Sequence, residues 1–363
     1  MDCRSRVGRA ATTRPTRSPR WSTRCEPIPA AAALAWGLAD AIAPPEAMEA
    51  ALQEFIAPML KQTRTALRGF EFHHAALTLH TDPIYAPTDP AHWSFLNCQL
   101  DGTTSCEASM WLAEEEDAPR PTRPRRAHKW SAGAVLVAGG STGMVGASVL
   151  TARSALHFGA GSVAVSSPRA DLVTAAAPEL LTMSFEEAEE RLDRFDVVIV
   201  GPGLDESDRG AVIPILGKAP RVLLDAGGLD AALLDAAAEG GTEVIVTPHA
   251  AEFQRVAGVG GGAFSVRAYA SRKGVVVLLK GNPTLISDGS EPILVQTGGP
   301  ELATIGSSDV LSGMIGALWA RGLDARTAAV SAAYWHGVAG ADLAASATVT
   351  ADVLAEHVGR FAW

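Results

Sequence analysis

The feature that most constrains this chain is a series of short, continuous apolar runs. Ala134–Ala138, Ser162–Ser166, Val197–Val200, Val222–Asp225, Val244–Thr247 and Val275–Leu279 each stop at Gly, Asp, Ser, Pro or Lys. A strand buried on one face alternates apolar and polar residues, whereas a strand covered on both faces is apolar throughout. Helical patterns lie between the runs, at Val145–Phe158, Asp230–Ala238, Ala250–Val256 and Ala263–Arg272. The order predicts an α/β fold, with helices on both sides of a mainly parallel central sheet and right-handed crossovers. Thr284–Ile286 and Ile293–Val295 read as a hairpin across Asp288-Gly289, followed by helices at Ser308–Arg321, Ala325–Ala344 and Ala351–Val358.

The texture before residue 127 is different. Residues 1–110 carry scattered Arg, Pro, Trp and His with one amphipathic stretch, Pro45–Leu67, and read as an irregular, poorly ordered N-terminal extension. Residues 111–126 turn acidic and then Pro/Arg-rich, the composition of a linker. The 127–363 segment is then the folded unit. Arg4–Arg24 lacks the apolar core of a secretory signal and reads as an unstructured start. Ala30–Ala43 is apolar but short and carries Asp40, so no membrane span is expected. The four cysteines, Cys3, Cys25, Cys98 and Cys106, precede the main domain and form no C-x-x-C pair. That usage suits a cytoplasmic protein and gives no zinc site. The net charge of -10 argues against nucleic-acid binding, which needs a basic face, but leaves small phosphate ligands open.

In such sheets ligands bind at the carboxyl ends of the strands, and the polar residues gather there. Thr304-Ile305-Gly306-Ser307-Ser308-Asp309 opens an apolar helix. Small residues before a helix start present backbone N–H groups and the positive end of the dipole to a phosphoryl group. Asp309 could accept the proton of an attacking hydroxyl, though the same residues also make an ordinary helix cap. Lys280-Gly281-Asn282-Pro283-Thr284 follows a strand and suits a nucleotide phosphate or a plain turn. His249, in Thr247-Pro248-His249-Ala250-Ala251-Glu252, could meet a substrate or simply begin a helix. Gly201-Pro202-Gly203 permits close backbone approach. Gly139–Ala147 has the wrong glycine spacing for a dinucleotide fingerprint, no ribose-binding acid follows, and no G-K-[ST] occurs.

Taken in order, these segments resemble the ADP-dependent NAD(P)H-hydrate dehydratases, a branch of the ribokinase-like superfamily. The resemblance runs from Ala127-His128-Lys129-Trp130 through Gly139–Ala147, Gly201–Leu204, Leu224-Asp225-Ala226, Thr247–Glu252, Leu279–Thr284, Thr297-Gly298, Leu302–Thr304 and Gly306–Leu311 to Tyr334-Trp335-His336-Gly337. It implies a ribokinase-like three-layer α/β/α fold and a lyase that phosphorylates the hydroxyl of hydrated NADH or NADPH, then loses phosphate to restore the dihydronicotinamide. It implies ADP as donor, with ATP as the alternative, accompanied by Mg2+. Asp309 is then the base, and the N–H groups of Gly306, Ser307, Ser308 and Asp309 form the anion hole. Lys280, Gly281, Asn282, Pro283, Thr284 and Ser308 line the nucleotide, and Ala147, Gly203, His249 and Asp309 meet the hydrate. No nucleic acid or membrane partner is implied, and a homo-oligomer is left open.

The chain departs from the family pattern where it matters. The usual Gly-Gly-[Ser/Thr]-Gly-Asp reads Ile305-Gly306-Ser307-Ser308-Asp309, Pro-Gly-Glu reads Ala250-Ala251-Glu252, and Asn-Pro after Thr-Gly reads Gly299-Pro300. A Cβ at Ser308 is costly if that position needs a left-handed backbone. Two other functions are therefore kept: a small-molecule kinase of the same superfamily, and a nucleotide-binding protein without turnover. Many relatives carry a preceding epimerase domain. Residues 1–110 show no matching strand–helix series and are expected to be a remnant without activity.

Overall fold

The computed structural model describes residues 66–72, 106–123, 128–129, 132–239 and 241–363. The strands are β1 (Ala66–Phe72), β2 (Cys106–Leu112), β3 (Ala134–Ala138), β4 (Ser162–Ser166), β5 (Leu181–Met183), β6 (Val197–Val200), β7 (Arg221–Leu224), β8 (Glu243–Val246), β9 (Val276–Leu279), β10 (Thr284–Ser287) and β11 (Ile293–Val295). They form one sheet in the order β1-β2-β11-β10-β9-β8-β7-β6-β3-β4-β5. Strands β3 to β9 are mutually parallel, and β10 runs antiparallel to both β9 and β11.

The helices are α1 (Val145–His157), α2 (Ala170–Ala176), α3 (Phe185–Glu190), α4 (Arg209–Leu216), α5 (Ala231–Glu239), α6 (Ala250–Ala257), α7 (Ala263–Lys273), α8 (Ser307–Ala320), α9 (Ala325–Ala344) and α10 (Ala351–His357). Successive strand residues point to opposite faces. Val135, Val137, Val197 and Ile199 pack with α1, α8, α9 and α10, while Leu136, Ala138, Val198 and Val200 pack with α4, α5, α6 and α7. That double cover is why the strands read as unbroken apolar runs, and it makes the three-layer arrangement expected from the sequence.

Elements with weaker signals appear beside the expected ones. α4 contains Pro214, and β5 is three residues long with Leu181 exposed, so neither shows a clean period. Strands β7 and β8 end one residue before the limit read from the sequence, and β9 ends at the limit. Asp225 and Thr247 fall just past β7 and β8, and Lys280 just past β9, so all three project from strand ends.

Residues 111–123, read as a linker, lie packed on the domain. β2 extends the sheet by pairing in parallel with β11, through Trp111 and Leu112 opposite Ile293 and Leu294. Ala113 and Ala118 are buried, and the Ala118 carbonyl accepts a hydrogen bond of 2.8 Å from Trp335 Nε1. The Arg120 guanidinium sits 3.7 Å above the Trp335 ring, and Arg321 donates to the Pro121 carbonyl. β1 pairs with β2 in antiparallel fashion. Of the Pro45–Leu67 stretch, Ala66 and Leu67 begin β1; the rest, with Arg4–Arg24 and Ala30–Ala43, lies outside the described residues.

Strand β3 has β4 on one side and β6 on the other, so the chain direction of the crossovers reverses there. The crevice at such a reversal is where open α/β sheets take ligands. Here two loops interlock: Gly140 N–H donates to the Pro202 carbonyl at 3.0 Å and Ser141 N–H to the Gly203 carbonyl at 2.7 Å. Gly203 has φ +66°, and a Cβ on it would lie 2.2 Å from the Met144 carbonyl oxygen, so only glycine lets the second loop close on the start of α1.

Candidate active site

α8 begins at this end of the sheet. Its N-cap, Gly306, has φ +87°, and a Cβ there would lie 2.7 Å from Ala351 Cβ and 2.8 Å from Leu150 Cδ1. A side chain would therefore push α8 off α1 and α10. The first turn of any helix carries N–H groups without intrahelical partners, and here they fall at the crevice with the positive dipole end. Ser308 lies inside α8, and the one non-glycine residue with a left-handed backbone among the described residues is Ala226. The Gly-to-Ser departure at 308 thus carries no backbone strain. The other lost glycine, at Ile305, leaves a side chain that is 96% exposed and displaces nothing.

Ser308, Lys280 and Asp225 form a compact polar cluster. The ammonium of Lys280 donates to Asp225 Oδ1 at 2.8 Å and to Ser308 Oγ at 2.7 Å. Ser308 Oγ donates onward to Asp225 Oδ2 at 3.1 Å, and Ser312 Oγ to the same oxygen at 2.7 Å. Asp225 is fully buried. Burial opposes its charge, but the Lys280 charge and the hydrogen bonds from Lys280, Ser312 and Thr247 outweigh that and hold its carboxyl below the usual range. Lys280 is partly buried; Asp225 and Glu252 overcome the desolvation and hold its ammonium charged.

Asp309 stands on the same turn with the opposite electrostatics. Burial, reinforced by the nearby Asp225 charge and only partly offset by Lys280, pushes its carboxyl up to about 7. Two carboxylates with their proton affinities driven apart is the arrangement expected where one is a fixed charge and the other moves a proton.

The other sequence-derived residues come to the same rim. Ala147 is in the first turn of α1, whose N-cap Met144 abuts Gly203, and Leu150 one turn on abuts Gly306. His249 pairs with Lys280 in a single β-bridge, and Lys280 N–H donates to the Pro248 carbonyl at 2.8 Å. Gly281, Asn282 and Pro283 make the turn from β9 into β10, with a cis Asn282-Pro283 bond; Thr284 Oγ1 donates to the Gly281 carbonyl at 2.9 Å. The structural alternative for His249 is realised as well. Its Nδ1 accepts from the Ala251 and Glu252 N–H groups while Glu252 accepts from the His249 N–H, a capping box in which His249 Nε2 also lies 3.5 Å from Glu252 Oε1. Ala250 and Ala251 thus serve the helix start in place of Pro-Gly, and Pro300, after Gly299, opens a short 3-10 turn.

Three residues of the site had no role assigned from the sequence: Asp225 and His336 entered only within matched segments, and Ser312 not at all. Asp225 and Ser312 meet Ser308 only through tertiary folding; a buried Asp at the end of an apolar run was the available signal. His336 on α9 lies beneath the anion-hole turn, with Nε2 at 3.1 Å from the Ser307 carbonyl and 3.3 Å from its hydroxyl, and burial lowers the imidazole to about 4.

Residues 135–360 match the family described as NAD(P)H-hydrate dehydratase. The chain belongs to that family. It is 35% identical over 261 residues to the bifunctional NAD(P)H-hydrate repair enzyme of Gloeobacter violaceus, covering 67% of this chain and 51% of that one. It is 34% identical to the ADP-dependent (S)-NAD(P)H-hydrate dehydratase of Neisseria meningitidis, covering 65% of this chain and 86% of that one. Among solved structures, the ADP/ATP-dependent NAD(P)H-hydrate dehydratase of Bacillus subtilis, co-crystallised with ATP and Mg2+, is 28% identical with a TM-score of 0.58, covering 67% of this chain and 94% of that one. A ribokinase-like superfamily protein of Enterococcus faecalis shares the fold at a TM-score of 0.62 and 23% identity, covering 70% of this chain and 95% of that one. The chain spans about half the length of the bifunctional relatives it matches. In the Gly306–Asp309 segment, the residue with a left-handed backbone is Gly306.

Proposed function

We propose that this chain dehydrates (S)-NAD(P)H hydrate to NAD(P)H at the expense of ADP, giving AMP and phosphate, and that it works in the cytoplasm. The observation that carries the reading is Asp309: a partly buried carboxyl raised to about 7 on the first turn of a helix whose N-terminus faces the crevice. A base with its pKa near the working pH is both free to accept a proton and strong enough to do so.

Asp309 takes the proton of the ring hydroxyl as its oxygen forms a bond to the β-phosphorus of ADP and the bond to the AMP oxygen breaks. The N–H groups of Gly306, Ser307, Ser308 and Asp309 stabilise the charge that gathers on the phosphoryl oxygens. The ring C–O bond of the phosphate ester then breaks, phosphate leaves with the electron pair, and loss of the adjacent ring proton forms the double bond that restores the dihydronicotinamide. Ala147, Gly203 and His249 would hold the hydrate, and Lys280 to Thr284 with Ser308 the nucleotide. Among the described residues, no three His, Cys, Asp or Glu side chains converge as metal ligands. Magnesium therefore fits as an ion carried on the nucleotide phosphates, where it would neutralise charge. No helix of the described residues is long and apolar enough to cross a membrane.

Incubation with NADH hydrate, ADP and Mg2+, followed by absorbance of regenerated NADH, tests the reading. Phosphorylation of another alcohol with no NADH regenerated would point to the kinase alternative. Nucleotide binding with no turnover of any alcohol would point to the non-enzymatic one, which loses its main support with Ser308 in a relaxed helical conformation.

A further inference from the structure

Asp225 is the best-connected polar side chain near Asp309, yet it lies at the end of a different strand. Its carboxylate collects Lys280 from the end of β9 at 2.8 Å and Ser308 and Ser312 from successive turns of α8 at 3.1 and 2.7 Å. Three elements, β7, β9 and α8, are thereby pinned at one point. Asp309 sits on the pinned turn. The charges its carboxyl meets are Asp225 at the end of β7 and Lys280 at the end of β9; the other elements at this rim carry His249 and Glu252 at the start of α6, His336 on α9 and the exposed Asp352 at the start of α10, while the first turn of α1 carries none. Lys280 lies 3.7 Å from Glu252 and 2.8 Å from Asp225, so its charge is directed chiefly to Asp225.

We propose that Asp225 is a positioning residue for the proton transfer: it anchors the turn that carries Asp309 and, by engaging Lys280, sets the charge that Asp309 meets. The proposal rests on Asp309 being the base. Without Asp225, a like charge disappears and the Lys280 ammonium loses its nearer carboxylate, keeping only Glu252 at 3.7 Å. Both changes favour the ionised form of Asp309. Ser312, by contrast, contributes a hydrogen bond and no charge.

The test is a carboxyl-carbon NMR titration of protein labelled at aspartate, with the Asp309 signal identified by its loss in Asp309→Asn. The wild-type midpoint is expected at about 7. Asp225→Asn should lower it by about one pH unit or more, and the acid limb of kcat/KM should move with it. Ser312→Ala should lower the melting temperature with the midpoint unmoved, which separates the charge from the anchoring. If Asp225→Asn does not fold, the double variant Asp225→Asn/Lys280→Met, which removes both buried charges together, replaces it and should show a smaller fall. A midpoint at or above the wild-type value in whichever variant folds overturns the proposal. The titration needs no substrate. A wild-type protein that fails to regenerate NADH therefore sinks the proposed function without touching this result.

Discussion

His336 Nε2 lies 3.1 Å from the carbonyl oxygen of Ser307, so a buried imidazole supports the first peptide of α8, the turn proposed as the anion hole. Burial holds that imidazole neutral down to about pH 4. An unfolded histidine titrates at about 6.5, so the unfolded chain binds the extra proton first as the pH falls. The stability contributed by the neutral ring is fully present above about 6.5 and is lost as the pH falls toward the folded value. Thermal melts from pH 8 to 4 should show the wild type losing stability through that window, and His336→Gln should flatten the dependence. His336→Ala should cost about 1–3 kcal/mol, as loss of a buried hydrogen-bond partner does. It should also raise the KM for ADP more than it lowers kcat. An unchanged KM would mean that His336 supports the fold without shaping the anion hole.

Replacing Asp309 by Asn should lower turnover by at least about a hundredfold, the usual cost of losing a positioned base. The same change should stabilise the protein. The folded carboxyl titrates at about 7 against an ordinary value of 3.8, so burial disfavours its charge. The stability associated with the protonated form is fully present below the unfolded pKa and is lost as the pH rises through the folded one. Asp309→Asn should therefore melt higher than wild type at pH 8, with the difference shrinking toward pH 4. Equal melting at both pH values would contradict the raised pKa.

For the wild type, kcat/KM should climb with pH through an apparent pKa of about 7 and level off above it. A profile flat from pH 5.5 to 8.5 would remove Asp309 from the role of base.

Ser308→Gly restores the residue usual in the family, yet it should not help this chain. Ser308 is helical, and its hydroxyl bridges Lys280 and Asp225. Glycine in a helix costs about 1 kcal/mol, and two buried charges lose a partner. Denaturant unfolding should show a loss of at least about 1 kcal/mol, with no gain in turnover. A faster and equally stable variant would show that the Ser308 side chain obstructs the nucleotide.

Residues 106–123 should behave as part of the domain. Shortening the chain to begin at residue 127 should lower the melting temperature. It removes the β2–β11 pairing, the Ala118 partner of Trp335 and the Arg120 stack on that ring. Trp335→Phe should reproduce part of the loss, about 1 kcal/mol, since it deletes the hydrogen bond and keeps the ring. A truncated chain as stable as the full one would return these residues to the status of a linker.

Much of this was legible in the sequence, for local reasons. β3, β4 and β6 stand where the apolar runs placed them, because a strand covered on both faces must be apolar at every position. α9 likewise matches the expected Ala325–Ala344. α2, α3 and α4 were missed because their short spans do not show a period, and Pro214 breaks the pattern in α4. The order of the glycine, lysine and aspartate segments was enough to bring out the family resemblance.

Backbone geometry and charge were another matter. From the sequence, Ser308 was a threat to the anion hole, because a missing glycine suggests a missing left-handed conformation. The fold places that conformation at Gly306, two residues earlier, and leaves Ser308 helical. The sequence by itself determined the strands β3, β4 and β6 to β11, the covered faces of the parallel ones and the strand ends where Asp225, Lys280 and His249 emerge, since those follow from the spacing of apolar residues. Only the tertiary structure decided that Asp225, Lys280, Ser308 and Ser312, spread over residues 225–312, meet in one buried cluster. The raised proton affinity of Asp309 comes first from its burial and then from the charges of that cluster, which act through space and leave no trace in local sequence.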